Sequence, residues 1–205
     1  MINPEHGSES VVGARRASPL QARILRRAIT AGLGAIVVAL AAQVVVPVPF
    51  SPVPMTLQPL AVLAVGGLLG GVGGLLALVL YLALGVLGLP VFAPGGLPGA
   101  LRLIGPTGGY LLAFPFAAGL TGVLAGWALA SGRVTGKAVL GTLLACAFGM
   151  AVIHVGGVAQ LALLGGDPAL AFRVGFVPFL TGDLLKVGLA AALILAAGPK
   201  IRSLL

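Results

Sequence analysis

Residues 28–101 read AITAGLGAIVVALAAQVVVPVPFSPVPMTLQPLAVLAVGGLLGGVGGLLALVLYLALGVLGLPVFAPGGLPGAL, without one Asp, Glu, Lys or Arg. An uncharged apolar run of this length belongs in a bilayer, whose hydrocarbon core takes about 20 apolar residues per helix. The rest of the chain agrees. Its 205 residues are 59% hydrophobic and 8% charged, where a soluble domain averages about 25% charged. Four acids and twelve bases cannot clothe a soluble surface of this size. A soluble globular enzyme, a disordered tail and a nucleic-acid module are therefore excluded, and the length fits one compact unit. The net charge of +8 reports which loops stay inside, not nucleic-acid binding. The single cysteine, Cys146, lies in an apolar run and reads as a small buried hydrophobe.

Working outward from that stretch, the segment from Thr56 to Leu89 is too long for one ordinary span. Clustered glycines punctuate helices, so it breaks at Gly70-Gly71-Val72-Gly73-Gly74 into helices over 56–69 and 74–89. Gly66/Gly70 and Gly67/Gly71 have the spacing that lets two helices approach backbone to backbone. Upstream, Pro47, Pro49, Pro52 and Pro54 end a first span at 29–46 and impose a rigid apolar loop. Downstream come spans at 109–130, 138–163 and 178–197, with Pro178 suited to a first helical turn. Gly/Pro-rich residues 90–107, basic residues 131–137 and residues 164–177 form the loops between them.

Six spans place both termini on one side. Arg15, Arg16, Arg23, Arg26, Arg27, Arg133, Lys137, Lys200 and Arg202 then share that side, against Arg102 and Arg173 on the other. This bias makes the shared side cytoplasmic. The expectation is an all-α integral membrane protein, a six-transmembrane-helix bundle with both termini cytoplasmic. Residues 1–27 form a basic tail (mobile over 1–20), 28–199 the membrane domain and 200–205 a cytoplasmic C-terminus. A cleavable signal peptide does not fit, because the first apolar run is too long and no small-residue cleavage site ends it.

Charges within spans are costly and mark functional candidates. Asp183 and Lys186 are the two here, three residues apart and so on one helix face. They either neutralise each other or face an outward-opening cavity, where the carboxylate accepts ligand N–H groups and the ammonium binds a ligand carboxylate. His154 reads as hydrogen-bonded to a neighbouring helix rather than as a metal or proton site. Gln43 and Gln58 flank the proline loop and either line a pocket or satisfy freed backbone groups. Tyr81, mid-helix, has a packing or pocket role, and Trp127 belongs to the interfacial belt. Enzyme signatures are missing from the sequence. No serine lies within a span, and no His/Cys/Asp cluster holds a metal. The stretch from Gly132 to Lys137 is one residue short of a phosphate loop and lacks a Ser or Thr after the Lys.

Four ordered motifs carry a family resemblance. They are Val46-Pro47-Val48-Pro49-Phe50-Ser51-Pro52-Val53-Pro54-Met55-Thr56-Leu57-Gln58; Leu80-Tyr81-Leu82-Ala83-Leu84-Gly85 through Gly88-Leu89-Pro90-Val91-Phe92-Ala93; Gly105-Pro106-Thr107-Gly108-Gly109-Tyr110; and Pro178-Phe179-Leu180-Thr181-Gly182-Asp183-Leu184-Leu185-Lys186. Over about 29–197 the chain resembles the BioY family, the biotin-binding S components of energy-coupling-factor (ECF) transporters. The Gly70–Gly74 turn departs from it in lacking the basic residues often seen there. The resemblance implies capture of biotin from outside. Asp183 would accept a ureido N–H and Lys186 bind the valerate carboxylate, or Lys186 would take the ureido oxygen. Arg102 would assist carboxylate capture, and Tyr81, Gln58 and Thr56 complete the expected biotin-binding set. The proline loop would act as a lid, with Phe50 and Pro54 as apolar cover. Partners would be a transmembrane T component and a pair of ATP-binding-cassette ATPases, with Ala31, Ala35 and Ala39 either docking the T component or packing internally. No cofactor, metal or nucleic acid is implied. Three other readings stay open at this point: a solitary biotin transporter, an S component for another vitamin, and a structural or assembly protein without a ligand. Lys186 argues against a cationic vitamin such as thiamine.

Overall fold

The computed structural model describes residues 18–204; Arg15, Arg16 and the rest of the expected tail over 1–17 lie outside the described residues. Helix α1 spans Pro19–Ala42. It starts earlier than the expected span at 29–46, because Ser18 caps it. The Ser18 hydroxyl accepts from the Gln21 amide at 3.2 Å, and the Gln21 side chain accepts from the Ser18 amide at 2.8 Å. This reciprocal box satisfies two of the free donors at a helix start. Arg23, Arg26 and Arg27 therefore stand on a helix, not in a tail.

A short antiparallel ladder follows. β1 (Val45–Val46) pairs with β2 (Met55–Thr56), Val45 opposite Thr56 and Val46 opposite Met55. It closes the proline segment into a loop anchored at both ends.

Helix α2 runs Gln58–Val86 but is not straight. Gly70 has φ 79° and ψ 173°, a conformation open to glycine and to almost no other residue. In a straight helix Gln58 and Tyr81 would stand about 35 Å apart, at 1.5 Å per residue. Their side chains instead meet at 2.7 Å. The chain turns back at Gly70, so the expected glycine break lies where the sequence put it. The two limbs touch at Gly66 and Gly74, where a Cβ on Gly74 would come within 2.7 Å of the Gly66 Cα. Gly34 of α1 packs against both limbs: a Cβ there would meet Val65 and Ala77 at 2.9 Å.

After the short helix α3 (Leu101–Ile104), α4 covers Gly108–Ala128 and α5 covers Gly136–Gly165. α4 crosses α2 at glycine contacts, because a Cβ on Gly122 would collide with the backbone at Gly70 and Gly71. α6 (Pro168–Gly175) is capped by Asp167, which accepts from the Ala169 and Leu170 amides at 2.9 and 3.0 Å. A 3-10 turn at Val177–Phe179 leads into α7, Leu180–Leu204.

Five segments are long and apolar enough to cross a membrane: Leu20–Ala42, Gln58–Val86, Gly108–Ala128, Gly136–Gly165 and Pro168–Leu204. Large apolar side chains such as Leu33, Ile36, Phe116, Leu144, Val155, Leu184 and Leu193 point outward. An outside this apolar suits lipid, not water, and marks a multi-pass membrane protein. Arg26 donates to the Leu204 carbonyl at 2.7 Å, so the first and last described helices meet at one end of the bundle. There Arg202 donates to the Gly67 carbonyl at 2.9 and 2.6 Å and to the Gly122 carbonyl at 3.0 Å. A broken helix leaves carbonyls near the break without partners, and this guanidinium supplies them.

Candidate ligand-binding site

The site lies at the opposite end of the bundle. Its roof is the end of the proline loop, Val53–Pro54–Met55–Thr56, held by the β1–β2 ladder. Its floor and walls come from Gln58, Tyr110, Phe114, His154 and Phe179, with Asp183 and Lys186 on α7 and Arg102 on α3. The walls are mostly apolar. The polar groups that remain are few and mostly buried, the pattern of a specific small-molecule site.

Asp183 is the hub. Its Oδ1 accepts from Lys186 Nζ at 2.9 Å and its Oδ2 pairs with His154 Nε2 at 2.6 Å. All three residues are under a tenth exposed. A buried charge persists only when paired and hydrogen-bonded, and the i, i+3 spacing on α7 provides the pair. The two readings of Asp183 and Lys186 thus meet, since they neutralise each other and line the pocket together. His154 is hydrogen-bonded to a neighbouring helix, as its sequence position suggested. Its place on the pocket wall has no signal in the sequence, because nothing there links it to a residue 29 positions away.

Arg102 is 5% exposed and donates to the Ala93 carbonyl. Burial pushes its pKa below the ordinary arginine value, with the nearby Tyr81 acting in the opposite sense. Gly96 makes room for it, since a Cβ there would overlap the guanidinium. Among the described residues no carboxylate pairs with it. It borders both the pocket and an outer groove formed by Pro52, Pro54, Pro94 and Thr107, which places it at the mouth. The pocket therefore holds two cations, Arg102 and Lys186, against one carboxylate. That surplus positive charge is complementary to an anion.

The Gln58 amide donates to Tyr81 Oη at 2.7 Å, and its carbonyl accepts from Thr56 Oγ1 at 3.1 Å. Tyr81 Oη in turn donates to the Val91 carbonyl at 3.1 Å. Gln58 and Thr56 line the pocket. Tyr81 does not; it is fully buried behind Gln58 and acts by positioning it and the 90–93 segment. Gln160 holds the neighbouring loop, donating to the Leu103 and Gly105 carbonyls at 2.9 and 2.7 Å. Tyr110 donates to the Gly175 carbonyl at 2.6 Å, fastening α6 over α4.

Two expectations are corrected. Pro54 covers the pocket, but Phe50 is 97% exposed at the loop tip with φ 67°. It turns away because the ladder fixes the loop's ends while its middle projects. Ala31 and Ala35 are 7% and 1% exposed, and Ala39 is partly buried against the core. The alanine row packs internally against α2 rather than forming an outer docking surface. The outward face of α1 carries Ile29, Leu33, Ile36, Val37 and Leu40 instead.

Residues 13–203 match the BioY family. The chain belongs to the BioY family. Curated relatives agree. The "Biotin transporter BioY" of Thermotoga maritima is 37% identical over 177 residues, covering 83% of this chain and 95% of that protein. The "Biotin transporter BioY" of Rhizobium etli is 34% identical over 166 residues, covering 80% and 88%. Among solved structures, the S-component for biotin from an ECF-type ABC transporter superposes with a TM-score of 0.76 at 24% identity, over 89% of this chain and 93% of that one. This BioY chain therefore has the S-component fold and is a transporter protein rather than an enzyme.

Proposed function

We propose that this protein captures biotin from outside and carries it across the cytoplasmic membrane as the S component of an ECF-type transporter. The supporting observation is the charge pattern of the pocket: two buried cations and one carboxylate between apolar walls. Biotin has a carboxylate, an apolar ring and chain, and a ureido group with N–H donors and a carbonyl acceptor. Arg102 at the mouth binds the carboxylate. Deeper, Asp183 accepts a ureido N–H and Lys186 donates to the ureido oxygen. Gln58, held by Tyr81, and Thr56 complete the polar contacts, and Pro54 closes over the ring. The relatives named as biotin transporters support this assignment.

The two limbs of α2 each cross the membrane, which makes six spans. Both termini then lie inside, together with Arg23, Arg26, Arg27, Arg133, Lys137, Lys200 and Arg202. Energy comes from a T component and a pair of ATP-binding-cassette ATPases, because this chain has no phosphate loop of its own. The test is accumulation of labelled biotin by biotin-starved cells that lack their own uptake system. Cells expressing this chain with such partners accumulate label, and Asp183→Asn abolishes it. Accumulation no greater than in cells without the chain would contradict the reading.

A further inference from the structure

His154 carries the one buried side-chain polar atom without a hydrogen-bond partner among the described residues, its Nδ1. Buried polar atoms in folded proteins are nearly all satisfied, so an orphan calls for an explanation. The ring lines the pocket, and its other nitrogen is fixed. Nε2 lies 2.6 Å from Asp183 Oδ2, and a carboxylate already holding the Lys186 ammonium offers only lone pairs. Nε2 must then carry the proton and donate it. In the neutral ring this leaves Nδ1 as an acceptor, a tautomer assigned from the hydrogen-bond network. The aromatic neighbours give that acceptor nothing to bind. Phe176 and Tyr110 face the ring edge-on, with centroids at 4.8 and 6.1 Å, and Phe179 lies at 6.3 Å.

We propose that His154 Nδ1 is a ligand-binding atom, accepting an N–H from the ureido ring of the bound substrate. Asp183 holds His154 in the tautomer that leaves Nδ1 free to accept. This inference rests on the biotin reading above and deepens it. It gives the unpartnered nitrogen of the imidazole beside the ion pair a hydrogen-bond partner when substrate is bound.

Two substitutions separate this role from a merely structural one. A glutamine amide reaches where Nε2 lies and keeps the bond to Asp183, but leaves no acceptor at Nδ1. An asparagine carbonyl reaches where Nδ1 lies and loses Asp183. Biotin affinity of the purified protein is measured by titration calorimetry, with melting temperature checking that each variant folds. The proposal expects His154→Gln to weaken biotin about ten- to hundredfold, the effect of one unmade hydrogen bond in a buried site, and His154→Asn to stay several-fold closer to wild type. It also expects N-methylation of one ureido nitrogen to weaken binding to wild type far more than to His154→Gln. Glutamine binding like wild type, equal losses in both variants, or equal penalties for N-methylation would overturn it. Wild type that folds yet binds no biotin would instead sink the biotin reading itself, a distinguishable outcome.

Discussion

Breaking the buried pair on α7 strands a charge inside the protein. Asp183→Asn preserves shape and keeps a carbonyl to accept from His154, but leaves the Lys186 ammonium, 5% exposed, without a counter-charge. Losing one partner of a buried ion pair costs about 3–5 kcal/mol, mostly through the stranded charge. The retained amide contacts put the expected loss at about 3 kcal/mol. Adding Lys186→Met removes that charge with little change of volume, and replacing a whole buried pair is often neutral or better. The double variant should therefore recover most of the stability while binding biotin no better than the single one. Equilibrium unfolding in mixed micelles reads the stability, and titration calorimetry reads the binding. A single variant as stable as wild type, or a double variant no more stable than the single one, would refute the stranded-charge argument.

Other consequences follow from the same geometry. Arg102→Gln should weaken biotin about ten- to hundredfold, the scale of a lost charge-assisted hydrogen bond, while biotin amide, which lacks the carboxylate, loses much less; competition binding with both ligands checks it. Ala35→Trp, at a site 1% exposed against α2, should overpack the bundle by about 1–3 kcal/mol or more and lower melting temperature and biotin binding together. Gly66→Leu should fail to give a monodisperse protein, because even a Cβ there overlaps the Ala118 backbone of α4; size-exclusion chromatography in detergent is the readout. Phe50→Ser, at an exposed loop tip, should leave equilibrium biotin affinity within about threefold of wild type, as surface changes usually shift energies by less than ~0.5 kcal/mol.

The membrane class, the break at the glycine cluster and the α7 pair were legible because each rests on short-range chemistry. An uncharged run has only one suitable solvent, a left-handed φ selects glycine, and residues three apart on a helix must meet. What was not legible depends on how distant segments pack. The early start of α1 rests on the Ser18–Gln21 capping box, a local signal that a hydropathy profile does not carry. Ala31, Ala35 and Ala39 have a spacing common to inner and outer helix faces, so only the position of α2 could tell them apart. Tyr81 and Gln58 are both polar positions in the sequence, yet nothing there tells that one stands behind the other, since that follows from the fold-back at Gly70. The apolar walls, Phe114 and Phe179 among them, look like any other membrane-helix residues. His154 resembled a satisfied core histidine, and half of it is: one nitrogen is bonded and the other is not.

The central claim is that the pocket beneath the proline loop holds biotin through the polar groups of α7. Its most direct test is equilibrium binding of labelled biotin to the purified protein in lipid nanodiscs, for wild type and for the Asp183→Asn/Lys186→Met double variant. Tight saturable binding by wild type, lost in a double variant that melts at nearly the same temperature, is the predicted result. A folded wild type that binds no biotin, or a double variant that binds as tightly as wild type, would contradict the account.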